Sequence, residues 1–233
     1  MGKPVVQLMD DRALEGSAVV ANCRMNRERN LHGGGGYERE LGFDPISFLE
    51  WRVRTRGSAR WLDLCCGQGR ALVAAAERFA GTGAAVVIHG VDLAGSFDAI
   101  PSEVGLTLES ASVHGWQTTQ RFDLITCVHG LHTIGDKLGL LQRAVGWLTT
   151  DGHLCAHLDL RNLKLADGGS AARWVPAALR QAGIQYDRRM VRCRGQSTAK
   201  LPFDYLGADP AAGPNYTGQP AVNSHYRLTT PAR

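Results

Sequence analysis

The sequence has no CxxC pair, no run of like charge and no apolar stretch long enough for a membrane span, and each absence narrows what the chain can be. Its six cysteines, Cys23, Cys65, Cys66, Cys127, Cys155 and Cys193, fall largely inside apolar, strand-like runs. They read as reduced, buried thiols of a cytoplasmic protein, not as a disulfide framework or a zinc centre, and no metal is expected. The formal charge is only +4 and the basic residues are scattered. That pattern argues against nucleic acid as the main partner. The start, Met1 to Asp11, has no long apolar segment of a signal peptide, so a soluble, intracellular protein without membrane contact is expected. No internal repeat or low-complexity tract is visible.

With 233 residues and 44% hydrophobic content, one substantial core is affordable, and one α/β domain with an appendage fits better than two equal domains. Residues 1–57 form the appendage, a helical cap or lid. Helices are expected over 13–25 and 45–56, the second capped by Asp44 with Pro45 in its first turn. Between them lies a polar, glycine-rich stretch with Asn26, Arg27, Glu28, Arg29, Tyr37 and Arg39, which reads as a solvated connector or as a lid over a ligand. From Arg60, strand and helix patterns alternate as βαβ units do, across residues 58–233. Strands are expected at 84–93, 106–113, 122–129, 153–160, near 184–193 and at 221–229, with helices over 136–150 and 170–183. Residues 195–220, rich in Gly, Pro and Tyr, read as one long ordered loop.

The run Arg60-Trp-Leu-Asp-Leu-Cys-Cys-Gly-Gln-Gly69 organises the rest. It reads as a buried strand, a sharp turn at Gly67 and Gly69, and a helix whose first N–H groups face a ligand. In open α/β sheets that turn is the default ligand site. A dinucleotide fingerprint would need a third glycine, and Leu72 stands there instead. The order Asp63-Leu64-Cys65-Cys66-Gly67-Gln68-Gly69 resembles motif I of the class I S-adenosylmethionine-dependent methyltransferases of small-molecule or peptide type, with Cys65 in place of the first glycine.

The resemblance runs from about residue 59 to the end and implies a Rossmann-like, doubly wound α/β fold: a mostly parallel seven-stranded sheet whose last strand is antiparallel. It implies S-adenosylmethionine as cofactor, held by Asp63, Cys65, Cys66, Gly67 and Gly69, with Asp92 and Leu93 at the ribose and Ser112 and Val113 at the adenine. A carboxylate with two acceptor oxygens suits a vicinal diol, and a buried Asp63 would find a partner in the cofactor's amino group. Methyl transfer is a displacement that depends on positioning, and a base is needed only when the acceptor must lose a proton. Candidates at the sheet's carboxyl edge are His129, His132 and Asp159, with His129 also able to touch the cofactor. If 195–220 joins the last two strands at that edge, Tyr205, Asn215 and Tyr216 face the acceptor, with Arg27 and Tyr37 above it. The absence of an Asn- or Asp-Pro-Pro-Tyr run leaves O-, N- or C-methylation of a small molecule or peptide, with a place in specialised biosynthesis expected. An RNA methyltransferase, a non-catalytic cofactor-binding module and a homodimer stay open.

Overall fold

A central sheet covered on both faces carries most of the buried surface. The computed structural model describes residues 7–21, 28–93, 95, 97 and 105–229. Two short helices, α1 (Asp11–Glu15) and α2 (Ala18–Ala21), precede α3 (Tyr37–Leu41) and α4 (Pro45–Arg56). Then come β1 (Ser58–Leu64), α5 (Arg70–Phe79), β2 (Ala85–Asp92), β3 (Leu106–Ser110), β4 (Phe122–Cys127), a helical turn at Gly130–Thr133, α6 (Lys137–Gly146) and β5 (Leu148–His157). The chain closes with β6 (Leu163–Leu165), α7 (Val175–Gln181), β7 (Ile184–Asp187), β8 (Met190–Arg194), β9 (Phe203–Asp209) and β10 (Asn223–Leu228).

Seven strands form one sheet in the order β3-β2-β1-β4-β5-β8-β7. All run parallel except β8, which is antiparallel to both β5 and β7. The residues explain the layers. In β1, Ala59 and Trp61 face α4 and α5, packing with Leu49, Leu72 and Ala75, while Leu62 and Leu64 face Leu138, Leu141 and Leu179 of α6 and α7. Every residue of β4 is buried, as a central strand with helices on both sides requires. Each such Leu contributes roughly 1.5–3 kcal/mol by leaving water. Asp44 starts α4 as its sequence suggests, accepting from Ile46 N at 3.0 Å and Ser47 N at 3.2 Å, with Pro45 in the first turn. Arg52 of α4 is 1% exposed and pins the helix to the sheet: Nη2 lies 2.5 Å from Asp123 Oδ1 of β4, and Nη1 lies 2.7 Å from Asp151 Oδ2 of β5.

The sheet has the expected seven strands with its last one antiparallel, but that strand is β8, not residues 221–229. The stretch near 184–193 is not one strand. It folds back at Arg188 and Arg189, whose φ of 45° and 73° make a tight turn without glycine. Residues 223–228 instead form β10 of a separate three-stranded sheet, β6-β10-β9. The expected long loop therefore contains β9, which leaves 195–202 and 210–220 irregular. The expected helix over 13–25 breaks at Gly16 and Ser17 into α1 and α2, and residues 22–27, Arg27 among them, lie outside the described residues. Among the described residues no helix is long and apolar enough to cross a membrane.

Candidate active site

The turn after β1 is built by three left-handed residues, Cys65 (φ 60°), Gly67 (φ 63°) and Gly69 (φ 77°). The N–H groups of Cys65 and Cys66 both donate to Val91 O of β2, at 2.8 and 3.2 Å. Gly69 suits glycine: its φ of 77° strains any side chain, and a Cβ there would stand 2.6 Å from Leu108 Cδ1 and push that side chain aside. Cys65 adopts the same backbone region with a side chain, which costs about 1–2 kcal/mol. Its thiol packs beside Cys127 and against Gly130, where any Cβ would collide with Cys65 itself. Hydrogen bonding with Cys127 and burial hold the Cys65 thiol far above its ordinary range, so it is a packing group, as expected, and not a nucleophile.

Above this turn a cleft is lined by Cys65, Gly67, Asp92, Leu93, Val113 and Ile134. Asp92, ending β2, accepts from Gly67 N at 2.9 Å and presents its carboxylate at the rim. The donor set fits S-adenosylmethionine: a carboxylate for the ribose diol, apolar side chains for the flat base, and small residues where the chain turns. Ser112 does not face the base with a free hydroxyl, since it donates to Glu15 of α1, which also lines the cleft. Helix α1 is held there by Asp11, which pairs with His114 at 3.0 Å and accepts from Tyr205 Oη at 2.9 Å. The covering segment is thus α1, and Tyr205 serves it instead of the acceptor.

Asp63 is fully buried below the turn, and its partners come from the protein instead of a cofactor amine. Tyr37 Oη of α3 donates to Oδ2 and Thr126 Oγ1 of β4 donates to Oδ1, both at 2.5 Å, and Trp61 Nε1 donates to the same threonine at 2.8 Å. Burial pushes the Asp63 carboxyl up to about 7, against the lowering effect of these two hydrogen bonds. Tyr37 is consequently a strut between cap and sheet and not part of an acceptor wall.

The carboxyl ends of β4 and β5 bring together a cluster that the sequence only partly announced. His129 (φ 59°) follows β4, and His157 ends β5. Their rings stack 4.1 Å apart and 6° from parallel. Both point Nε2 at one oxygen, Glu40 Oε2 of α3, at 2.8 Å from His129 and 3.4 Å from His157. The hydrogen bond from His129 leads the effects that hold the Glu40 carboxyl below its ordinary value. Tyr216 Oη lies 3.0 Å from His129 Nδ1, and the Arg189 guanidinium sits 4.3 Å from the centre of the Tyr216 ring. His132 packs its ring 5.7 Å from that of His129. Burial lowers both His132 and His157 to about 3, so these imidazoles are neutral. Buried His132 Nε2 and His157 Nδ1 have no hydrogen-bond partner.

Among the described residues, the donor atoms of Glu40, His129 and His157 lie within 4.8 Å of one another, near enough for a cation. Stacked parallel rings suit two N–H groups sharing a carboxylate oxygen better than lone pairs converging on an ion at about 2.1 Å. Two expected residues fall outside the cluster. Asp159 caps the turn after β5, accepting from Arg161 N at 3.0 Å and pairing with the Arg161 guanidinium at 2.7 Å. Asn215 turns its Oδ1 inward to Thr217 N and Gln219 N. His157 is brought level with the end of β4 by the pairing of Ala156 with Cys127, a register that leaves no mark in the sequence. Glu40 has none either, standing 89 residues from His129 in sequence.

Solved structures similar to the chain include the plantazolicin methyltransferase BpumL in complex with SAH, the demethylated cofactor S-adenosylhomocysteine (15% identity, 50% of this chain and 46% of that one, TM-score 0.38). They also include coclaurine N-methyltransferase bound to N-methylheliamine and SAH (14%, 65% and 45%, TM-score 0.39) and an S-adenosylmethionine-dependent methyltransferase from Mesorhizobium loti (20%, 65% and 77%, TM-score 0.39). The chain thus spans less than half the length of BpumL. Likeness this remote carries no argument about the acceptor. None of the curated proteins compared with the chain matches it. Residues 37–190, well over half of the chain, match the sequence model of the family described as methyltransferase domain. With the fold order and the cleft beside Asp92 already in place, that match assigns the chain to the methyltransferase family.

Proposed function

We propose that the protein methylates an oxygen, nitrogen or carbon of a small molecule or peptide in a biosynthetic pathway, with the acceptor lodged against the His129 cluster. The supporting observation is placement. The cleft and the cluster both lie at the carboxyl edge of the sheet, and Gly130, the residue after His129, lines the cleft and abuts Cys65. Bound in the cleft, the cofactor supplies an electrophilic methyl group on positive sulfur. The chain's own part is to position and to keep water out. Gly67 and Asp92 fix the ribose end, and the turn after β1 sets the depth of the cofactor. His129 orients the acceptor and takes its proton where one must leave, and Tyr216 with Arg189 closes the acceptor side. In this reading residues 1–57 are the cap, and the irregular part of 195–220 is the acceptor wall. Five described cysteines are free thiols, which supports a reducing, cytoplasmic location. Mass spectrometry of the purified protein incubated with S-adenosylmethionine and cell extract tests the reading: a compound gaining one methyl mass is expected. Methylated RNA as the product would replace it with the nucleic-acid alternative.

A further inference from the structure

Glu40 was not among the residues the sequence singled out, yet it holds the nitrogen that decides which way His129 can act. Its carboxylate lies 2.8 Å from His129 Nε2, a contact that in the neutral ring assigns the proton to Nε2 and leaves Nδ1 as a lone pair. Nδ1 lies 3.0 Å from the phenol oxygen of Tyr216, and in that tautomer the hydroxyl is the donor. The site is thus already shaped around an O–H group pointed at Nδ1. The surroundings keep it so. His157 Nε2, on β5, supports the same Glu40 oxygen at 3.4 Å, and Arg29, from the segment before α3, lies 3.5 Å from Oε1. His132, from the turn after β4, covers the His129 ring, and Arg189, from the β7–β8 turn, covers Tyr216.

We propose that Glu40 is a positioning residue that fixes His129 as a one-sided proton acceptor, and that the methyl acceptor is a phenol or alcohol whose O–H takes the place Tyr216 holds in this closed arrangement. This rests on the methyl-transfer reading above and names its substrate class. A neutral amine attacks with a lone pair it already has and loses its proton afterwards, whereas a hydroxyl must shed its proton as it attacks, so an imidazole reserved for O–H serves the hydroxyl. As the acceptor oxygen forms its bond to the methyl carbon, its proton passes to His129 Nδ1. The carbon–sulfur bond breaks with its electron pair remaining on sulfur, which loses its positive charge. The imidazolium so formed is paired by Glu40 and returns the proton to water.

Two measurements test this. Proton–nitrogen NMR of histidine-labelled protein, with His129 assigned through His129→Gln, should show an Nε2–H protected from exchange. That resonance should vanish in Glu40→Met and persist in Tyr216→Phe, while both variants keep the wild-type affinity for S-adenosylhomocysteine to within about threefold. A proton on Nδ1 in the wild type, or an Nε2–H unchanged in Glu40→Met, overturns the positioning role. So does one-to-one binding of Zn2+ that displaces the His129 and His157 resonances, because the cluster is then a metal centre. With carbon-13 methyl-labelled S-adenosylmethionine and cell extract, the product should carry a methoxy carbon. An N-methyl or C-methyl product overturns the substrate class alone. The absence of any methylated product, with cofactor still bound, overturns the methyl-transfer reading and the acceptor class with it.

Discussion

Cys65 and Asp63 show two ways in which a single residue departs from what its neighbours favour. Cys65 has φ of 60°, a backbone region that a side chain makes costly and a glycine does not. Cys65→Gly removes that cost but loses the contact with Cys127 and adds chain entropy in the unfolded state, so a net gain of up to about 1 kcal/mol in denaturant unfolding is expected. The glycine variant should bind S-adenosylhomocysteine at least as tightly as the parent. Cys65→Val, β-branched in the same strained position, should lose about 2 kcal/mol or more. Asp63 gives a pH signature instead. Its carboxyl is raised to about 7 when folded, against 3.8 as the ordinary value, so the folded state binds the proton that the unfolded state releases. Its contribution to stability is fully present below pH 3.8 and is lost as pH rises through 7, a change on the order of 4 kcal/mol. Unfolding curves of Asp63→Asn against the parent between pH 4 and 8 check the sign. The difference should shift in favour of the variant as pH rises, and a constant difference would show that Asp63 is ionised in the fold.

Among elements, α4 depends most on one side chain. Arg52 joins it to β4 and β5 through Asp123 and Asp151, and Asp123 in turn accepts from Arg60 N of β1 at 2.9 Å. Arg52→Met leaves Asp123, 8% exposed, without its cation, and a loss of about 3–5 kcal/mol is expected in chemical denaturation. This buried pairing at the amino edge could not be read from the sequence, because its members lie 71 and 99 residues apart. Local chemistry was readable. Asp44 and Pro45 announced the start of α4, and the glycine turn announced α5. The hairpin of β7 and β8 was hidden because its turn is made by Arg188 and Arg189, two residues with no turn preference, inside a continuous strand-like run. β9 was hidden in a stretch rich in Gly and Pro, where its only mark was the run Phe203 to Leu206, and β10 was given to the wrong sheet because pairing between distant strands has no local signal.

At the scale of the molecule, the cap and the sheet meet through a few side chains that each serve a different half of the site. From α3, Tyr37 reaches Asp63 under the turn after β1 and Glu40 reaches His129 at the carboxyl end of β4, while Glu15 of α1 reaches Ser112 over the cleft. The residues around the glycine turn and Asp92 were legible because a strand-turn-helix and a strand end leave local patterns. Glu40, Thr126 and His157 were not, since only folding brings them together.

Isothermal titration of S-adenosylhomocysteine into the purified protein, alongside Asp92→Ala, tests most directly whether the cleft beside the glycine turn is the cofactor site. One molecule bound per chain is predicted, with the variant weakened roughly 10- to 100-fold, as the loss of charge-assisted hydrogen bonds to a diol implies, and with its unfolding temperature nearly unchanged. No binding to the parent, or equal binding to a folded Asp92→Ala, would contradict the account.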